Sequence, residues 1–91
     1  MLKPETVLVQ SKSLAVRDID RVCFNKQTGC ILQLNDSGYA LLLHFETPLS
    51  VGNAVASMCR IFGFSETDSD NGIIDFIEYL ISLNILALED P

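Results

Sequence analysis

Positively charged residues are scarce in this chain of 91 residues, which has six lysines and arginines against twelve aspartates and glutamates and a formal net charge of −6. Binding to nucleic acid at ordinary salt depends on basic side chains that displace counterions from phosphates. The basic residues form no patch in the sequence and lie mostly in its first third: Lys3, Lys12, Arg17, Arg21, Lys26 and Arg60. The composition therefore argues against DNA or RNA as a partner.

Long apolar runs are also missing from the sequence. No uninterrupted hydrophobic stretch approaches the roughly 20 residues that span a bilayer, and residues 1–5 do not begin the apolar segment of a secretion signal. Hydrophobic residues nevertheless make up 48% of the chain, which is more than a disordered segment carries. We expect one folded domain over residues 1–91, with no membrane contact and a cytoplasmic location.

The short motifs of common catalytic, metal and nucleotide sites are absent as well. Cys23, Cys30 and Cys59 form neither a CxxC pair nor a disulfide framework, and His44 is the only histidine. No GxGxxG or Walker A sequence occurs, and the acidic stretch 66–70 lacks the EF-hand pattern. We predict no catalytic residue, no metal ligand and no cofactor, so the chain is not expected to be an enzyme; a Cys–His nucleophile pair is the alternative that the sequence leaves open.

Alternating apolar residues predict β-strands in the first third of the chain. Two short apolar pieces, 7–9 and 14–16, are separated by polar residues. Residues 21–34 predict a hairpin, because alternating segments flank the turn 25–29, where Gly29 can adopt a positive φ. Its second strand, 30–34, is followed at once by a helix signal.

Three helices are predicted after the hairpin. Asn35 is a suitable N-cap for a first helix that runs to about Phe45. A second helix begins near Thr47 or at Ser50, since either residue can cap it, and Gly63 is a suitable stop.

The polar segment 65–71 predicts a loop, and the third helix is expected over 71–83. Its apolar residues cover too wide an arc for one buried surface. Ile74, Ile77 and Ile81 are expected to face the core, which leaves a second apolar stripe of Phe76, Tyr79 and Leu83. Either the domain itself, a homodimer or a bound partner could cover this stripe.

The order of these pieces resembles that of the PqqD-like family over about residues 20–88. Members of this family recognise the leader peptides of ribosomally synthesised, post-translationally modified peptides. Asn84 stands where the family usually has a glycine, and asparagine tolerates the same left-handed geometry. The resemblance rests on these pieces: the turn that ends in Gly29, Leu34-Asn35, Ser37-Gly38, Ser50-Val51, Phe76-Ile77-x-x-Leu80 and Asn84-Ile85-Leu86.

The resemblance implies an α+β, winged-helix-like fold in which an N-terminal three-stranded antiparallel sheet packs on three helices. It also implies a stand-alone leader-peptide-binding adaptor, or peptide chaperone, that binds a precursor peptide as an added β-strand. The adaptor presents this peptide to a modifying enzyme, such as a radical-SAM maturase or a leader peptidase, and is itself a monomer or a homodimer.

The implied binding site lies between the strand 30–34 and the third helix. There, backbone groups of the strand would pair with the peptide, and apolar side chains of the helix would bind its side chains. Asp75 and Glu78 are possible contacts for basic residues of the leader. The predicted peptide-binding residues are Cys30, Ile31, Leu32, Gln33, Leu34, Ile73, Phe76, Tyr79, Leu80 and Leu83.

Two other classes of function remain open at this point. A winged-helix DNA-binding regulator has the same outline, although a recognition helix should be basic and the third helix has no lysine or arginine. A dimerisation module would bury the second stripe between two copies of the chain.

Overall fold

The structure, a computed structural model, describes residues 2–62 and 66–89, with side chains in the second range from residue 72 onward. Six strands and three helices occur within these ranges. Their order is β1 (Val7–Gln10), β2 (Leu14–Arg17), β3 (Val22–Asn25), β4 (Ile31–Gln33), α1 (Asp36–His44), β5 (Leu49–Ser50), α2 (Val51–Phe62), α3 (Glu66–Ser82) and β6 (Leu86–Leu88).

The strands form two separate three-stranded antiparallel sheets, with the orders β5-β1-β6 and β2-β3-β4. The α+β class, the strands at 7–9 and 14–16, the hairpin and the three helices are confirmed, and β2-β3-β4 is a three-stranded antiparallel sheet in the first part of the chain. The second sheet, to which β1 belongs, was not predicted. β1 pairs with β5 and β6, so that Leu8 lies between Leu49 and Leu88. These partners are short and distant in sequence, and such runs carry no periodicity that marks them as strands.

The first two helices begin at the predicted caps. Asn35 Oδ1 accepts a hydrogen bond from the Gly38 N–H at 2.8 Å at the start of α1. Ser50 Oγ accepts from the Asn53 N–H at 3.2 Å, so Ser50 is the cap of α2 rather than Thr47. The predicted stop of α2 at Gly63 lies outside the described residues.

The third helix is longer than predicted at its amino end. It begins at Glu66, so the loop expected over 66–71 is wrong for these residues, and Ser65 lies outside the described range. Acidic residues near a helix amino end interact favourably with the helix dipole, so a polar segment can be its first turns. Beyond Ser82, Asn84 has φ 60°, and the Ile85 N–H donates to the Leu80 carbonyl at 2.9 Å, which closes the helix in a Schellman motif.

The core lies between the two sheets and the three helices. The hairpin sheet contributes the fully buried Cys23 to it. The larger fully buried apolar side chains come from the other sheet, from the helices and from the residues that follow them: Phe45, Leu8, Leu41, Leu42, Met58, Ile77, Leu80, Ile85, Leu86 and Val51. Of the three residues of α3 expected to face the core, Ile77 is fully buried, and Ile74 and Ile81 are half-buried against the core. Leu80 of the same helix is also fully buried.

One buried polar side chain connects the hairpin to the carboxyl end of α3. Asn25 is only 1% exposed. Its Oδ1 accepts from the Gln27 N–H at 2.8 Å, the Thr28 N–H at 3.1 Å and Ser13 Oγ at 3.1 Å, while its Nδ2 donates to the Asn84 carbonyl at 2.8 Å. The amide therefore shapes the β3–β4 turn and holds it against the end of α3.

We expect Asn25→Ala to lower the free energy of unfolding by about 2–3 kcal/mol, because it leaves several buried or half-buried polar groups without partners. Urea denaturation measures the change. Asn53→Ala is the control, since the side chain of Asn53 is exposed, and it should change stability by less than about 0.5 kcal/mol. Equal stability of the two variants would show that the Asn25 network has no such role.

Candidate functional site

β4 is an edge strand, and its backbone has free hydrogen-bonding groups on one side. The Asn25 N–H donates to the Cys30 carbonyl and the Leu34 N–H donates to the Arg21 carbonyl, each at 2.9 Å. Because bonded and non-bonded pairs alternate in an antiparallel ladder, Ile31 and Gln33 direct their N–H and C=O groups away from β3. These four groups have no partner among the described residues.

The edge of β4 also lacks charged side chains. No lysine, arginine, aspartate or glutamate occurs from Gln27 to Asn35. Edge strands of proteins that avoid strand pairing commonly carry charges, as β2 does with Arg17 and with Lys12 just before it. β4 therefore has the chemical character of a strand that accepts another strand.

Two contacts connect helix α3 to the segments before and after β4. In the second half of the helix, Phe76 lies against α1, since a Cβ atom added to Gly38 would be 3.2 Å from Phe76 Cζ. Just beyond its carboxyl end, the Asn84 carbonyl accepts from Asn25, which pairs with the residue before β4. Helix α3 is thus held at the β3–β4 turn and at the start of α1, whereas α3 and β4 are not among the extensively contacting pairs of elements in the described structure.

A groove of about 310 Å³ opens between the amino end of α1 and α3. Its lining is mainly apolar, and Leu41 and Met58 close its base because both are buried. No residue of β4 lines it among the described residues, although Asn35 lies two positions beyond Gln33. The lining residues are Asn35, Ser37, Gly38, Leu41, Met58, Gly72, Ile73 and Phe76.

The predicted site residues of α3 do not all reach this surface. Ile73 and Phe76 line the groove, and Tyr79 is 48% exposed beside Phe76, with ring centroids 6.5 Å apart. Leu83 is half-buried against the core. Leu80 is fully buried, so it supports the helix from below and cannot contact a ligand directly.

The predicted residues of the strand divide between the two faces of its sheet. Leu32 pairs with the fully buried Cys23 and faces the core. Ile31 is 72% exposed and pairs with Phe24 on the outer face, away from the groove. Leu34 is buried. Cys30 precedes β4 and is half-buried.

The two carboxylates of α3 considered as ligand contacts lie on different flanks of the helix. At about 100° per residue, Asp75 is about 40° from Tyr79, whereas Glu78 is about 100° from Tyr79 and closer to Ile74. Both are exposed, and neither forms an ion pair within the part of the chain that the structure describes. Asp75 is therefore the closer of the two carboxylates to the exposed Tyr79.

A second groove, not predicted from the sequence, lies on the opposite flank of α3. It has a volume of about 220 Å³ and separates α3 from the first turns of α2 and from the amino-terminal segment. Ile74, expected to be in the core, lines this groove. The wide apolar arc of α3 indicated that a second surface of this helix is uncovered. It did not indicate that α2 and the amino-terminal segment form the rest of the groove. The lining residues are Leu2, Pro4, Val51, Gly52, Val55, Ala56 and Ile74.

His44 and Cys23, two of the residues considered for catalysis, are placed as parts of the folded structure rather than as reactive groups. His44 Nδ1 lies 2.7 Å from the Ala40 carbonyl, one helical turn away. Burial, with a smaller contribution from the neighbouring Cys30, raises the pKa of the Cys23 thiol, which keeps it protonated and unreactive. Among residues 2–62 and 66–89, no three His, Cys, Asp or Glu side chains are placed to hold a metal ion, and no described helix is long and apolar enough to cross a membrane.

Comparison of the chain with protein-family models, with curated proteins and with solved structures finds no match in any of the three.

The groove depends on the absence of a side chain at Gly38. A Cβ atom there would be 3.0 Å from the capping Asn35 Oδ1 and 3.2 Å from the Phe76 ring, so Gly38→Ala should displace one or both. We expect it to lower the free energy of unfolding by about 1 kcal/mol through the damaged cap.

Gly72→Ala is the matched control in α3. A Cβ atom at Gly72 meets nothing within 4 Å, so this variant should be more stable than the wild type by about 0.5–1 kcal/mol through helix propensity. Thermal and urea denaturation of both variants measure the difference. Equal stabilisation by the two substitutions would contradict close packing at Gly38.

Proposed function

We propose that this protein is a peptide-recognition adaptor that binds an extended segment of a precursor peptide as an added strand on β4 and presents it to a modifying enzyme. The observation that carries the proposal is the uncharged edge of β4 with its four free backbone groups. An apolar groove between α1 and α3 begins at Asn35, just beyond this strand. The resemblance to the PqqD-like family supports the same function, with a winged-helix-like arrangement of the hairpin and helices.

Strand addition divides the recognition between backbone and side chains. The N–H and C=O groups of Ile31 and Gln33 bond to the backbone of the peptide, whatever its sequence. Alternate side chains of the peptide turn toward the core side of the sheet, where Phe76, Tyr79 and the groove beyond them accept apolar groups. This combination gives affinity from the edge and selectivity from the groove.

The affinity of such a complex is limited by the cost of ordering a flexible peptide. Micromolar binding corresponds to about −8 kcal/mol. Two or three apolar anchors, each contributing about 1.5–3 kcal/mol when fully buried, together with the backbone bonds, are of the size needed to offset ordering and reach this range. The net charge of −6 favours peptides with lysine or arginine, and Asp75, on the Tyr79 side of α3, is a carboxylate that such a residue could meet.

An adaptor also needs a surface for the enzyme that it serves. The second groove, lined by Ile74 on the far flank of α3, leaves the β4 edge uncovered when it is occupied. Holding the peptide and the enzyme together raises the local concentration of the substrate without any catalytic group on the adaptor. This arrangement agrees with the absence of a catalytic motif in the sequence.

The charge distribution supports the DNA-binding alternative less well than it supports peptide binding. The segment 72–82 of α3 carries Asp75 and Glu78 and no basic residue, so it would repel phosphates. Four of the six basic residues, Lys12, Arg17, Arg21 and Lys26, lie on the hairpin side of the molecule, and two of these pair with Asp20 and Asp36.

The direct test titrates fluorescently labelled leader segments, taken from the short reading frames adjacent to the gene, into the protein and records anisotropy. We expect a dissociation constant in the micromolar range or below for one of them. If none of the neighbouring small peptides binds, the adaptor function is rejected.

Proline substitution tests the edge of β4 directly. Gln33→Pro removes an outward N–H without breaking a bond to β3, so we expect at least a tenfold loss of leader binding in a folded protein. Leu88→Pro is the matched control, because Leu88 is exposed on the edge strand β6 and its N–H also points away from its neighbour. Equal effects of the two prolines would show that β4 is not the binding edge. Leu32→Pro is less informative because the Leu32 N–H points toward β3.

Thiol labelling gives an independent footprint of the same edge. In the free protein, iodoacetamide should react first with the half-buried Cys30, because Cys23 is fully buried with a raised pKa and Cys59 is 8% exposed. Saturating leader peptide should slow the labelling of Cys30 at least fivefold, as read by mass spectrometry. Unchanged labelling of Cys30 in the complex would place the peptide elsewhere.

A further inference from the structure

A row of apolar side chains crosses the outer face of the hairpin sheet and ends at the edge of β4. Ala15 pairs with Phe24, and Phe24 pairs with Ile31, so the three side chains share the face that points away from the core. Phe24 is 37% exposed and Ile31 is 72% exposed. The groove on α3 lies on the other face, so the function proposed above does not account for this row.

The register of β4 determines which residues of an added strand would meet this row. The free backbone groups belong to Ile31 and Gln33, so the residues of the peptide that pair directly with them share their outer face. The residue of the peptide opposite Leu32 lies between those two and turns to the inner face, on which Leu32 packs against the core. Inner and outer positions therefore alternate along the peptide.

We infer that the bound peptide is recognised on both faces, and that Ile31 selects an apolar residue at the outer position directly opposite it. This inference rests on the proposed function, because it assumes that a strand is added to β4. The added side chain would extend the row Ala15, Phe24, Ile31 by one member and cover the exposed Ile31. The ligand is then a segment with apolar residues at alternate inner positions and one further apolar residue between them.

Charge favours a peptide over a second copy of the chain at this edge. Two copies, each with a formal charge of −6, repel each other, and the edge offers no basic residue from Gln27 to Asn35 to compensate. A short peptide that is neutral or basic meets no such repulsion. Because no charged residue occurs from Gln27 to Asn35, β4 itself offers the outer position no ionic partner, and its direct neighbours Ile31 and Phe24 favour an apolar residue there.

The experiment replaces Ile31 and measures which residue is then selected at the outer position of the peptide. A library of random 12-residue peptides displayed on phage is enriched on immobilised wild-type protein, on Ile31→Lys and on Leu88→Lys. The last is the matched control, because Leu88 is 61% exposed on the edge strand of the other sheet. Synthetic peptides from each selection are then titrated against all three proteins by anisotropy.

The expected result is a change at a single position of the peptide. The wild type and Leu88→Lys should select peptides with alternating apolar inner residues and an apolar outer residue. Ile31→Lys should keep the inner pattern and replace the outer residue by aspartate or glutamate. Each matched pair should bind at least about threefold more tightly than the mismatched pair, as expected for a direct cross-strand neighbour.

Three results would overturn the inference, and they differ in whether the proposed function is also rejected. Selection of the same outer residue by the wild type and Ile31→Lys removes the role of Ile31 but leaves strand addition intact. Failure of the wild type to enrich any alternating peptide removes the proposed function together with the inference. A wild-type dimer in sedimentation velocity that becomes monomeric in Ile31→Lys would show that a second copy covers the outer row.

Discussion

The buried side chain of Asn25 is the interaction on which the rest of the candidate site depends. Its oxygen organises the turn between β3 and β4, and its nitrogen bonds to the carbonyl of Asn84 just beyond α3. The strand and the helix that form the two walls of the site are far apart in sequence, and this amide fixes them at one end. About two turns earlier in the helix, Phe76 packs against Gly38 of α1, so the carboxyl-terminal half of α3 is held at the β3–β4 turn and at the start of α1.

The fold was predictable where the signals were local. The hairpin, the cap at Asn35 and the start of α2 at Ser50 each depend on residues within a few positions of each other, and the structure has them as expected. The sheet arrangement was not predictable, since β1 pairs with short strands that lie about 40 and 80 positions along the chain, as in the pairing of Leu8 with Leu49 and Leu88. The amino end of α3 was missed because its polar and acidic residues resemble a loop in composition. The same acidic residues interact favourably with the helix dipole at a helix amino end, so the composition alone does not separate the two structures.

The candidate site was predicted as a set of elements more accurately than as a set of side chains. Periodicity indicated that strand 30–34 and the third helix had uncovered surfaces, and both do. It could not determine that Leu80 is fully buried or that Ile31 points to the outer face, because these depend on which side of each element meets the rest of the protein. Gly38 and Met58, which line the groove, gave no signal in the sequence, since a glycine and a methionine carry no mark of a binding surface.

The uncharged edge of β4 has a consequence for the behaviour of the protein in concentrated solution. Other edge strands avoid unwanted pairing with lysines or glutamates placed on the strand itself, and β4 has none. Protection against stacking into fibrous aggregates therefore depends on long-range repulsion between whole molecules, each with six excess negative charges. Carboxylates elsewhere on the surface thus determine the colloidal stability of the protein. Added salt or acid weakens the repulsion between molecules and so favours pairing at β4, although neither contacts the strand.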